Sequence, residues 1–226
     1  MICVVCAISF LVLFARLLYV LFQVHYNDTS TPLHRVPPTF PKPVRLLAVA
    51  GSGGHTAELL QLLAAATAAP SSKSSCLSFS TRHYIVAKTD SMSQDKIEQF
   101  ETTRNTETSV VISKIPRARE VGQSYLTSIL TTVYSQLFCI PHVLRARPDI
   151  LLVNGPGTCI PVCVFVFLLR VLGLCRGKIV YVESICRVNT LSLSAKILVF
   201  FADHVLVQWP QLASSYRCKY IGRLVS

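Results

Sequence analysis

The chain has 226 residues, 51% of them hydrophobic and 15% charged, with a formal net charge of +11. An apolar protein with a basic surface suits an anionic membrane face and anionic substrates. Its cations are scattered singly, as at Arg82, Lys88, Lys96, Arg104 and Lys114, and no nucleic-acid module is visible, so nucleic acid is not an expected partner.

Residues 1–26 form a mostly apolar run whose one charge is Arg16. At about 1.5 Å of rise per residue, a helix of this length crosses a bilayer. A cleavable signal would carry a charged start, a shorter apolar stretch and a small-residue exit; this run ends in Phe22, Gln23 and His25 and reads as a permanent anchor. No Lys or Arg precedes it, whereas Arg35, Lys42 and Arg45 follow, which puts the rest of the chain in the cytosol. Residues 27–43 contain Pro32, Pro37, Pro38, Pro41 and Pro43, the composition of a stiff linker. The folded part is expected over 44–226, about 180 residues, enough for one α/β domain but short for two.

Within it, strands are predicted over 44–50, 83–87, 109–114, 150–154, 178–183 and 204–208. Helices are predicted over 56–66, 95–102, 125–146, 161–172 and 192–201. Alternation of this kind predicts a single Rossmann-like, doubly wound parallel sheet, and apolar strands without strict alternation imply burial on both faces. The serine-rich stretch 71–80 is the expected flexible loop. Residues 161–172 are apolar on all sides until Arg170, so this helix is either buried in the domain or dips into a membrane it is too short to span.

The most informative segment is Gly51-Ser52-Gly53-Gly54-His55-Thr56-Ala57-Glu58, between the first strand and the first helix of the domain. Glycines there permit positive φ and close approach of a ligand, and the N–H groups of the following helix face outward, so a phosphate or diphosphate is the expected ligand. A dinucleotide loop would need a third glycine at position 56 and an acid about 20 residues on; Thr56 and the serines of 71–75 supply neither. With no Lys-Ser or Lys-Thr closing the loop, ATP hydrolysis is disfavoured too, and no cofactor is expected. His55 and Glu58 are three apart, on one helix face. His55 suits phosphate binding or proton transfer; Glu58 suits either capping of the helix start or orientation of a ligand hydroxyl.

Ligands of such sheets gather at the carboxyl ends of the strands. After the fourth strand come Asn154, Gly155, Pro156, Gly157 and Thr158, a second turn suited to another part of the same ligand, and Glu183 ends the fifth as a candidate base or a partner for Arg187. Of nine cysteines, Cys3 and Cys6 alone have C-x-x-C spacing, and they lie in the anchor; Cys159, Cys163 and Cys175 lie in or beside the apolar 161–172 run. Neither zinc nor disulfides are expected, and the thiols suit a reducing cytosol.

With these segments in view, the chain resembles the membrane-anchor subunits of the two-subunit enzyme that adds the second N-acetylglucosamine to dolichyl-diphosphate-linked N-acetylglucosamine. The resemblance rests on AGSGGHTAELLQLL (50–63), YIVAKTD (84–90), IPRAREVGQSY (115–125), PDILLVNGPGTCIPV (148–162), YVES (181–184), ADHVLVQWPQL (202–212) and YIGRL (220–224). These subunits are similar in turn to the acceptor-binding half of the bacterial transferase that makes lipid II, with its early glycine loop followed by His. The resemblance implies the acceptor half of a two-Rossmann (GT-B) glycosyltransferase, single-pass in the endoplasmic reticulum membrane. It also implies a lipid diphosphate at Gly51, Ser52, Gly53, Gly54, His55, Thr56 and Glu58, and a separate soluble catalytic subunit carrying the UDP-N-acetylglucosamine pocket. Partner docking near Tyr220, Ile221 and Leu224 is implied as well. The rival reading, a self-sufficient reductase-like enzyme, lacks its nucleotide residues.

Overall fold

The computed structural model describes residues 2–30, 43–67, 78–104, 108–117, 125–155 and 159–224. Most of the expected linker, most of the serine-rich loop, and Pro156, Gly157 and Thr158 lie outside the described residues.

The first helix, α1 (Ile2–Ser30), includes an apolar stretch, Val4–Tyr26, long enough to cross a membrane. It continues past residue 26, where the apolar stretch stops, to Ser30. Seven strands follow: β1 (Val44–Ala50), β2 (Phe79–Ala87), β3 (Ser109–Ile115), β4 (Ile150–Asn154), β5 (Lys178–Val182), β6 (His204–Val207) and β7 (Lys219–Tyr220). The helices between them are α2 (Gly54–Thr67), α3 (Ser91–Arg104), α4 (Tyr125–Ala146), α5 (Cys159–Val171), α6 (Leu193–Leu198) and α7 (Pro210–Ser215).

All strands pair in parallel in the order β3-β2-β1-β4-β5-β6-β7, the doubly wound arrangement expected. Alternate residues of each central strand enter opposite cores. Leu47 and Val49 of β1, Leu151 and Val153 of β4, and Ile179 and Tyr181 of β5 meet α4, α5 and α6. Leu46, Ala48 and Ala50, with Tyr84, Val86 and Leu152, meet α2 and α3. Full burial on both faces is why these strands read as continuous apolar runs.

Two boundaries differ from expectation for local reasons. β2 begins at Phe79, inside the expected loop, because Phe79 and Thr81 pair with β1 and buried Arg82 is neutralised by Glu101 at 2.7 Å. α3 begins at Ser91 because Asp90 accepts the Ser93 N–H at 3.1 Å, the geometry of an N-cap. β7 and α7 were not anticipated; two and six residues are too few to show a period.

Candidate functional site at the switch point

β1 and β4 are neighbours in the sheet although β2 and β3 intervene in sequence, so the chain leaves their carboxyl ends in opposite directions and opens a crevice there. Gly51 follows β1 and Gly155 follows β4, and both need to be glycine. A Cβ on Gly51 would lie 2.9 Å from both the Asn154 carbonyl oxygen and the His55 Cβ. Gly155 has φ +114°, and a Cβ there would lie 3.2 Å from the Gly51 Cα and the His55 Cγ. His55 is therefore held against two touching stretches of backbone. The buried Cys159 thiol donates to the Gly155 carbonyl at 3.3 Å and, pushed up to about 12 by burial, stays protonated as a small packing group. Gly53, at φ +66° with open space around it, is required for its conformation alone. α2 starts at Gly54, so only 51–53 are loop, and Gly54 to Glu58 form its first turns. The amides of that first turn lack intrahelical acceptors and lie at the mouth of the crevice with exposed Ser52 and Gly54.

Behind this mouth runs a chain of side-chain hydrogen bonds. Glu58 is 5% exposed; its Oε2 accepts from Asn154 Nδ2 and Gln208 Nε2, each at 3.1 Å, and its Oε1 accepts from Ser184 Oγ at 2.9 Å. The carboxylate ties α2 to the ends of β4, β5 and β6, which replaces both the capping and the ligand-hydroxyl readings of Glu58. Because a carboxylate only accepts, Asn154 must turn its amide nitrogen to Glu58 and its oxygen outward. That oxygen lies 3.0 Å from His55 Nδ1. Nδ1 therefore carries a hydrogen, and Nε2 is the other nitrogen of a half-buried ring.

A second chain secures the loop from the α3 side. The Thr56 hydroxyl donates to the Gly51 carbonyl and lies 2.7 Å from Ser93 Oγ, which donates to Asp90 Oδ2 at 2.7 Å. Thr56 is fully buried, so its hydroxyl holds the loop's own backbone instead of facing a ligand.

Glu183 is buried just past β5. It accepts from Ser192 N at 2.8 Å, Ser184 N at 3.1 Å and the Tyr181 hydroxyl at 3.3 Å. These bonds fasten the 183–192 turn, and exposed Arg187 makes no pair with it. The Tyr181 hydroxyl is raised above its ordinary range, first by burial and then by the Glu183 charge, so it remains a donor. Tyr220, the last residue of β7, is exposed, while Ile221 and Leu224 beyond it are partly buried against the α2–α3 side core. The Leu224 N–H donates to Gln208 Oε1 at 2.9 Å. Asp90, Ser93 and Gln208 were not anticipated as site residues. For Asp90 and Gln208 a position soon after a strand end was the available signal, but the partners are set by sheet order. Among the described residues, no group of three or more His, Cys, Asp or Glu side chains is placed to hold a metal ion.

Together the fold and the switch point define a Rossmann-like α/β domain with a glycine loop and an oriented histidine between β1 and β4. Residues 46–224 match the family described as oligosaccharide biosynthesis protein Alg14 like, and the chain belongs to that family. Its relatives include the UDP-N-acetylglucosamine transferase subunit ALG14 of Rattus norvegicus, 49% identical over 189 residues, covering 80% of this chain and 82% of that one. The Homo sapiens protein of the same name is 47% identical over 187 residues, with 80% and 82% covered, and that of Candida albicans 38% identical over 226 residues, with 97% and 94% covered. Among solved structures, Acinetobacter baumannii MurG is similar with a TM-score of 0.49 at 14% identity, covering 75% of this chain and 43% of that one. Arabidopsis thaliana UGT89C1, complexed with UDP-L-rhamnose, gives 0.48 at 10% identity, with 82% and 53% covered. The chain thus spans about half the length of these two structures.

Proposed function

We propose that this chain is the membrane-anchored, acceptor-binding subunit of a UDP-N-acetylglucosamine transferase, acting on dolichyl-diphosphate-N-acetylglucosamine at the cytosolic face of the endoplasmic reticulum. The observation that carries this reading is the switch point itself, where the glycine loop and the first turn of α2 meet the ring of His55, oriented through Nδ1 by Asn154. In this reading the loop amides hold the lipid diphosphate. The neutral His55 Nε2 accepts the proton of the acceptor hydroxyl as that oxygen attacks the anomeric carbon and UDP departs. Glu183, occupied by its own turn, takes no part in proton transfer. The chain forms the acceptor half of a GT-B pair; a soluble partner supplies the UDP-sugar pocket and docks near exposed Tyr220. Family membership and the naming of the relatives as transferase subunits support the assignment.

The test is transfer of radiolabelled N-acetylglucosamine to dolichyl-diphosphate-N-acetylglucosamine by the chain alone, the soluble partner alone, and both. Activity is expected only from the pair, and robust transfer by this chain alone overturns the reading. His55→Ala should abolish transfer while the partner still copurifies. Retained transfer in that variant would reduce the loop to a structural turn.

A further inference from the structure

The apolar stretch of α1 is not free along its length. Arg16 donates from Nε to the Val171 carbonyl and from Nη2 to the Arg170 carbonyl, both at 3.2 Å, closing the end of α5. A turn further on, Val20 and Val24 are buried, and Arg217 Nη2 donates to the Val24 carbonyl at 2.7 Å. Residues 16, 20 and 24 form one face of the helix, and that face lies on the domain. The segment 4–15 that precedes it covers only about 18 Å, against roughly 30 Å of bilayer hydrocarbon. The rest of a crossing must come from the part docked on the domain. The opposite face of that part, with Leu18, Tyr19 and Phe22, is exposed and apolar, as lipid contact requires.

The domain surface beside it has the same character. Leu172 and Leu174 flank the Arg16 contact, and Ile197 and Phe200 project from the end of α6; Leu174 and Phe200 are 69% and 68% exposed. α4, α5 and α6 contain no Asp or Glu, and Arg176, Lys178 and Lys196 are exposed around this region. On the other side of the sheet, α3 exposes Asp95, Glu98 and Gln99. One helical layer is apolar with a cationic margin, while α3 of the other exposes acidic and polar side chains, the asymmetry of a surface that meets anionic lipid.

We infer that the ends of α5 and α6, around Leu172, Leu174, Ile197 and Phe200, are seated in the near leaflet of the bilayer crossed by α1, as a second membrane contact. The inference rests on α1 being a membrane span. It is tested on the full chain in vesicles of brominated phosphatidylcholine with phosphatidylserine, using Leu174→Trp, Phe200→Trp, Phe10→Trp and Met92→Trp, each compared with the parent chain and its Trp209. Tryptophans at 174 and 200 should be quenched at least about twofold more than one at 92 and emit further to the blue, since interfacial side chains reach the acyl boundary. Quenching at 10 without quenching at 174 and 200 overturns the second contact and leaves the anchor standing. No quenching at 10 removes both. Cross-linking of two copies through Cys introduced at 200, with that site unquenched, would assign the patch to self-association and also overturn the inference.

Discussion

The orientation of His55 depends on an amide that never leaves the interior. Asn154 places its nitrogen on Glu58 and its oxygen on His55, so the carboxylate determines through one intermediary which ring nitrogen carries the hydrogen. Asn154→Ala removes that control without touching the loop backbone. Under the proposed function it should lower kcat of the reconstituted complex by about tenfold or more, since general-base catalysis is worth at least that much. Partner copurification should be unchanged, which separates loss of orientation from misfolding. Gly155→Ala should act differently. Its φ of +114° is closed to side chains and its Cβ would press on His55 and Gly51, so a loss of stability of about 1–3 kcal/mol is expected, read from the shift of the denaturant midpoint.

At the level of elements, long-range pairs decide what the sheet edges and helix ends can tolerate. Arg170 at the end of α5 meets Asp203 before β6, at 2.5 and 3.2 Å, and Asp203 also accepts the Ile179 N–H at 2.8 Å. Both side chains are almost wholly buried. Asp203→Asn leaves a guanidinium without its counter-charge and should cost about 3–5 kcal/mol in chemical denaturation; a double replacement by apolar residues should cost less than that. His83 of β2 sits edge-on to His142 of α4, with centroids 6.1 Å apart, and bonds Ser113 at 2.8 Å. Burial, with the neighbouring His142 and Arg145, pushes it from its ordinary 6.5 down to about 4. Between those values the unfolded chain binds a proton that the folded chain refuses, so stability should fall as pH drops from about 6.5 to 4. His83→Gln should flatten that part of the stability profile. These examples show why the central strands were legible and other features were not. β1 and β4 are buried on both faces and announce themselves as apolar runs with correct bounds. The start of β2 reads FSTR and is a strand only because Glu101, nineteen residues on from Arg82, absorbs the charge. Likewise the spacing of His55 and Glu58 showed a shared helix face, but the partners of Glu58 lie 96, 126 and 150 residues away, beyond any local pattern.

The whole molecule joins its N-terminal helix, long and apolar enough to cross a membrane, to the domain by direct contacts as well as by the chain between them. Arg16 supplies two charged hydrogen bonds to the end of α5, and Gly173, at φ +76°, leaves room for its guanidinium, which a Cβ there would approach to 2.9 Å. Arg16→Leu keeps the helix apolar but leaves two carbonyls without those donors. It should lower the thermal midpoint of the full chain in nanodiscs by an amount corresponding to about 1–3 kcal/mol, whereas Arg187→Leu, at an exposed site, should leave it unmoved. The single charge in residues 1–26 was visible from the start; that it bonds the end of α5 was not, because nothing local to residues 1–26 identifies α5 as its neighbour.

Gln208 joins two distant parts of this design. Its nitrogen is committed to Glu58 and to the Glu183 carbonyl, its oxygen to the Leu224 N–H, and turning the amide over would set like poles against each other on both sides. The segment beyond β7 and the Glu58 network behind His55 therefore share one side chain held in a single orientation. Under the proposed function, any factor by which a partner gripping that segment changed the affinity for a diphosphate at the loop would be returned in equal measure.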